Sequence, residues 1–304
     1  MKRETYQEIT DKIIAALEAG ARGDQWQRPW HVAAGTGIPM NAVSKHVYRG
    51  INVPVLWCEQ SARGYASAQW ATYRQWQEAG AQVKAGERAA HVVFWKFLDR
   101  AGATDPSETG ERKRFPLART FAVFNAAQVE GFTVPETTRP SEVERNARAD
   151  AVVGATGAAI REHGSRAFYV PSADFVAMPP ADQFCATKHG TATEAYYSTL
   201  LHELGHWTGH ASRLKREFGK RFGDQAYAAE ELVAELAASF LCASLGIEAE
   251  PRADHACYVA SWLTVLRNDK RAIFTAARHA QAAADFILGK SDAGEEVEAV
   301  AIAA

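Results

Sequence analysis

The sequence predicts an α+β protein in two parts: a small mixed α/β domain with an antiparallel hairpin over residues 1–136, and a mostly helical domain over 137–304. Three observations support this division. The run TVPETTRP after Phe132 holds two prolines and no apolar period, which puts a boundary near 133–140. Charge divides there, with 17 Lys+Arg against 14 Asp+Glu (+3) before it and 17 against 22 (−5) after it. Six of the eight tryptophans, Trp26, Trp30, Trp57, Trp70, Trp76 and Trp95, also lie in the first part.

The elements follow from hydrophobic period and punctuation. Ile9, Ile13, Ile14 and Leu17 recur at helical spacing, so a helix spans 4–20 and stops at Gly20 and Gly23. Prolines and glycines make 26–50 a long ordered loop before helices over 52–63 and 67–79, the latter carrying Trp70 and Trp76. HVVFWKF, 91–97, and 120–124 read as strands, with the polar segment 99–114 between them as an exposed hairpin loop. Ser141 and Glu144 form a capping box that starts a helix over 141–163, and Thr191 with Glu194 starts another over 191–209. Further helices are expected over 224–245 and 253–288, with short strands at 167–170 and 175–177.

Several classes are excluded. With 304 residues, 47% hydrophobic and 23% charged, the chain is neither fibrous nor disordered as a whole. No apolar run approaches the ~20 residues of a membrane span, and MKRETYQEITDK lacks the apolar stretch of a secretory signal, so a cytoplasmic location is expected. Cys58, Cys185, Cys242 and Cys257 have irregular spacing and no CxxC pair, which argues for reduced thiols rather than disulfides or a thiolate metal site.

The sharpest chemical signal is LLHELGHWTGH, which holds the HExxH pattern as His202-Glu203-Leu204-Gly205-His206. Residues four apart on a helix share a face, so both imidazoles can reach one Zn²⁺, with another divalent transition metal such as Mn²⁺ as an alternative. Such an ion makes water more acidic, and Glu203 beside it can take a proton and hand it to a leaving amine, which is peptide hydrolysis. A catalytic site of this kind takes its third protein ligand from another element.

In DQAYAAEELVAELAASFLCASLG, Asp224 can cap a helix whose apolar residues bury Glu231 and Glu235 on one face. Glu231 is assigned to the metal, with Glu230 and Glu235 as alternatives in a segment where the order can slip by one residue. Glu235 would accept a hydrogen bond from a ligand histidine, and Glu230, about 100° away around the helix, reads as a solvated surface charge. His210 fits poorly as a ligand, because HExxHxxGxxH is not met when Gly209 is followed at once by His210. Gly205 is expected to let the second helix approach closely.

Aromatic faces that stack on bases and Lys/Arg that follow phosphates are the means of holding single-stranded nucleic acid. Trp26, Arg28, Trp30, Lys45, His46, Tyr48, Arg49 and Asn52 form one such interleaved set; Trp70, Tyr73, Arg74 and Trp76 form another; Arg112, Lys113 and Arg114 lie on the loop. A charge of +3 is small for a nucleic-acid module, which favours stacking on single strands over duplex binding.

Across nearly its whole length the chain resembles the ArdC-type antirestriction proteins of conjugative plasmids. The resemblance rests on W-x-x-x-W at Trp26–Trp30, YRGIN at 48–52, W-x-T at Trp70–Thr72, FNAAQVEG at 124–131, and HELGHWTGH followed by EELVAE. It implies a single-stranded-DNA-binding domain over 1–136 joined to a zincin-like, gluzincin-type metallopeptidase domain over 137–304, and protection of incoming plasmid DNA from host restriction. It carries metal binding onto His202 and His206, the catalytic role onto Glu203, and the acidic ligand onto the 230–235 segment. It names no protein substrate. Two other readings stay open: a DNA-masking protein with a purely structural metal, and a metallopeptidase whose first domain binds protein.

Overall fold

The computed structural model describes residues 3–20, 36–99, 114–135, 140–186, 190–216, 225–248 and 256–290. It is an α+β fold. Helix α1, Arg3–Gly20, buries Ile9, Ile13 and Leu17, the predicted stripe, against α2, Asn52–Arg63, and a helix near the C-terminus. Between them lies β1, Met40–Asn41. Helix α2 ends at Gly64, whose φ of 66° is the left-handed cap that glycine adopts without strain.

Residues 67–79 depart from the expected single helix: Gln69–Thr72 form strand β2, and helix α3 covers only Tyr73–Glu78. Two interactions outweigh the helical period. Trp70, Ala71 and Thr72 pair with Asn125, Phe124 and Val123, and Thr72 with Gln75 makes a reciprocal capping box that restarts the chain as a helix. Strands β3, Gln82–Val83, β4, Ala90–Asp99, β5, Arg114–Asn125, and β6, Val129–Glu130, follow. The hairpin is β4 against β5, in register from Ala90–Val123 to Asp99–Arg114, within a sheet of order β1-β2-β5-β4. The ends of the polar segment 99–114 belong to the two strands; its middle lies outside the described residues.

The second part begins with α4, Glu142–Thr156, started by the predicted Ser141–Glu144 capping box. It stops seven residues short of the expected end. Gly157, at φ 68°, turns the chain, and Ala159–Glu162 become strand β7, which pairs in parallel with β9, Phe175–Met178; β8, Phe168–Val170, lies on the other side of β9. Helices α5, Ala192–Trp207, and α6, Gln225–Leu245, follow. The expected 253–288 helix is two, α7, Ala256–Asn268, and α8, Ala272–Ile287, because Asp269 accepts from the Arg271 and Ala272 amides and makes a turn.

One contiguous core runs through both parts, from Ile9 and Leu17 through Trp57 and Phe240 to Ile287. Cys58 and Cys242 are buried free thiols and Cys185 is an exposed one; the Cys257 side chain lies outside the described residues. Burial, and secondarily the neighbouring Glu59, pushes the Cys58 thiol up to about 12, so it stays protonated. Among the described residues no helix is long and apolar enough to cross a membrane.

Candidate metal centre

The site is built on two helices that the sequence forces into close contact. The Thr191 hydroxyl accepts from the Glu194 amide and Glu194 reciprocates, starting α5 with a capping box. From there Leu200, Leu201 and Leu204 bury one side, and α6 buries Leu232, Val233, Leu236, Phe240 and Leu241. A β-carbon on Gly205 would lie 3.1 Å from Ala234 Cα, so the missing side chain is what lets the helices approach, as the sequence suggested.

This contact brings His202, His206 and Glu231 together, with one ligand atom of each within 4.8 Å of the others. The two Nε2 atoms are 3.2 Å apart, and Glu231 lies 3.5 Å from each through separate carboxylate oxygens. Two donors about 2.0–2.1 Å from one ion in a tetrahedral shell are ~3.4 Å apart, so the spacing and the N/O donor set fit a divalent metal. Glu203 is buried on α5 between the two histidine positions.

The other ring nitrogens face carboxylates. His202 Nδ1 is 3.7 Å from Glu235 Oε2, slightly beyond an ordinary hydrogen bond, and Glu235 is fully buried. His206 Nδ1 is 3.2 Å from Glu230 Oε1. Glu230 is therefore not the solvated surface charge expected of it. Arg216, whose side chain is 1% exposed, holds Glu230 through Nη2 at 2.7 Å and Nε at 3.1 Å, and also donates to the Gly205 carbonyl and the Thr208 hydroxyl. Nothing in the spacing around Arg216 marks this role. Its one trace in the sequence is Gly209, where a β-carbon would lie 2.9 Å from Arg216 Nη2.

Electrostatics follow the geometry. Burial by itself lowers a histidine pKa, yet the Glu231 and Glu230 carboxylates outweigh it and push His206 up to about 10. His202 is raised in the same way by Glu231 and Glu235. Burial would raise Glu231 and Glu230, but the imidazoles, and Arg216 for Glu230, hold both below the usual carboxylate range. His210 sits past the end of α5, its Nδ1 2.7 Å from Ser212 Oγ, and is not part of the cluster. The Asp224 cap lies outside the described residues.

The nucleic-acid candidates divide differently. Trp26, Arg28, Trp30, Arg112 and Lys113 lie outside the described residues, as does the Arg114 side chain. Tyr48, Trp70 and Trp76 are corrected to core residues: they are 1%, 1% and 0% exposed, which leaves no ring face for a base. Trp76 is further tied by Nε1 to the Phe124 carbonyl at 3.0 Å. Arg49 forms an ion pair with buried Asp285, and Asn52 is bound to the Val93 backbone. Lys45, His46 and Arg74 remain at the surface, and Tyr73 is 44% exposed.

Two family models match successive parts of the chain. Residues 3–124 match a family model for the N-terminal domain of anti-restriction factor ArdC, and residues 147–279 match one for a zincin-like metallopeptidase. The chain is 46% identical over 290 residues to y4eC, an uncharacterized protein of Sinorhizobium fredii, covering 93% of this chain and 91% of that one. It is 39% identical over 310 residues to a DNA primase TraC of Escherichia coli, of which it spans 27%.

Crystal structures of the antirestriction ArdC protein from the R388 plasmid superpose with TM-scores of 0.73. The metal-free form aligns at 40% identity over 93% of this chain and 96% of that one, and the Mn(II)-bound form at 36% over 95% and 98%. With both family models matched in order and a solved relative covered almost end to end, the chain belongs to the ArdC family of antirestriction proteins, and its second half is zincin-like.

Proposed function

We propose that this protein protects transferred DNA from restriction by binding single strands through residues 1–136, and that residues 137–304 form a metal-dependent peptidase unit. The observation that carries the peptidase reading is the convergence of His202, His206 and Glu231 at tetrahedral donor spacing beside a buried Glu203. These three residues would hold the ion. Zn²⁺ is the first choice for two imidazoles and a carboxylate, and the Mn(II)-bound relative keeps Mn²⁺ as a second. When bound, the metal supplies Lewis acidity to water and to a peptide carbonyl.

The chain's own residues do the rest. Glu203 accepts a proton from water as the new C–O bond forms and returns it to the amine as the C–N bond breaks. Glu235 and Glu230 face the outer ring nitrogens of His202 and His206 and fix how the rings turn, while Arg216 keeps Glu230 ionised and in place. The protein substrate would be one bound to the same strand, since tethering raises its effective concentration.

Glu203→Gln tests this reading in a conjugation assay against a restricting host. Retained metal with lost protection supports proteolysis, whereas full protection with metal retained leaves DNA masking as the activity. Absence of any oligonucleotide binding at low salt would remove the strand-binding half of the reading.

A further inference from the structure

A cavity of about 330 Å³ lies away from the metal centre, between the Arg49–Asn52 turn, strand β4 and one side of α8. It lies at the small end of ligand pockets, which run from about 300 to 1,000 Å³. Its composition is unusual. Tyr6, Phe94, Trp95 and Phe274 contribute aromatic surface, three arginines line it, and no carboxylate does among the described residues.

The arginines differ in what they can do. Arg49 is already neutralised by Asp285, and the turn is braced by Gln281, whose Oε1 accepts from the Gly50 amide at 2.9 Å. Arg271 and Arg278 are exposed and make no ion pair among the described residues. Arg271 is the N-cap of α8 and Arg278 lies on the helix itself, seven residues on, about two turns and roughly 10 Å along the same side. Arg271 lies 5.5 Å from the centre of the Tyr6 ring, and Tyr6 and Phe274 meet edge to face at 4.6 Å. Two unneutralised guanidiniums select a phosphate-sized anion, and the rings beside them suit a planar base. The volume admits one such unit, and a paired base could not enter.

We propose that this cavity seats one nucleotide of the bound single strand, with its phosphates held by Arg271 and Arg278 and its base against the aromatic wall. This rests on the strand-binding reading above and relocates part of the contact onto helix α8, in the metallopeptidase half. Helix α8 packs on α6, which carries Glu231, so an occupied cavity lies against the element that backs the metal centre.

The test is fluorescence anisotropy of the metal-loaded full chain with a labelled oligothymidylate of about twenty nucleotides, long enough to cover one site. Replacing both arginines (Arg271→Ala with Arg278→Ala) should weaken binding by on the order of tenfold or more. The slope of log affinity against log salt should fall by about 1.4, from two lost phosphate contacts at about 0.7 each. A charge-matched control, Arg148→Ala with Arg166→Ala, should keep the wild-type slope; unchanged metal content and Tm show that the variants fold. An oligomer carrying 5-iododeoxyuridine should photocrosslink to Tyr6, Trp95 or Phe274.

If the wild type binds and the Arg271/Arg278 variant binds equally with the same slope, the cavity assignment is overturned while strand binding stands. Displacement of the oligomer by inorganic phosphate as readily as by thymidine monophosphate also overturns it, in favour of a bare anion. If the wild type itself does not bind, strand binding fails and the cavity assignment with it.

Discussion

On the proposed peptidase reading, Glu203 and the carboxylates around the two imidazoles would have separable duties, and single substitutions should separate them. Glu203→Gln should keep the metal and slow peptide hydrolysis by about 10²–10⁴-fold, the usual worth of a general base, as read by turnover against metal content. Glu235→Gln should lower metal affinity by about 10–100-fold, since Glu235 faces the outer nitrogen of His202, with the effect measured by chelator competition. Arg216→Ala should cost about 1–3 kcal/mol in a denaturation experiment, because Glu230 loses its guanidinium partner and is left with the His206 ring.

Protons compete with the ion for the same nitrogens. In the metal-free protein the raised His206 contributes stability that is complete below its unfolded pKa of about 6.5. It is lost as pH climbs through about 10. The metal-free Tm should therefore decline from pH 7 to 10, while metal affinity rises over the same window and uptake at pH 7 releases at least one proton. Calorimetry in buffers of different ionisation enthalpy reads both.

HExxH was legible in the sequence because its meaning is local: spacing along one helix places both rings. Glu231 could be reached by helical phase from Glu235 and the apolar run between them. Glu230 and Arg216 could not, because what removes Glu230 from solvent is an arginine fourteen residues earlier, brought in by the turn after α5. The same limit explains Trp70, Trp76 and Tyr48: a count of aromatic residues does not say whether a ring fills the core or faces water.

At the scale of the elements, each helix of the site has a start or a contact that one substitution can test. Gly205→Ala puts a β-carbon 3.1 Å from backbone that cannot yield easily. It should destabilise the protein by about 1–3 kcal/mol and weaken metal binding as α5 and α6 part. Where the sequence and structure diverge, a pairing partner outside the local window decided the outcome. Gln69–Thr72 follow β5 and Ala159–Glu162 follow β9, both with enough apolar character to be read as helix. The Thr72–Gln75 capping box and the Asp269 turn each break a segment whose longer periodicity pointed to one continuous helix.

At the scale of the whole molecule, the two halves share one core. Trp57 of α2 meets Phe240 of α6 at 5.8 Å, and Arg49 reaches Asp285 on α8. Changes in one half are therefore felt in the other through packed side chains rather than across a linker. Most of the buried apolar residues belong to this common interior, while Ala71, Trp76, Val83 and Val129 form a smaller cluster of their own in the first part. The central claim is that two imidazoles on α5 and one carboxylate on α6 form a metal centre. Elemental analysis after chelation, reloading and gel filtration tests it most directly. About one metal ion per chain is predicted for the wild type and for Glu203→Gln, with nearly complete loss in Glu231→Ala. Equal metal retention by Glu231→Ala would contradict it.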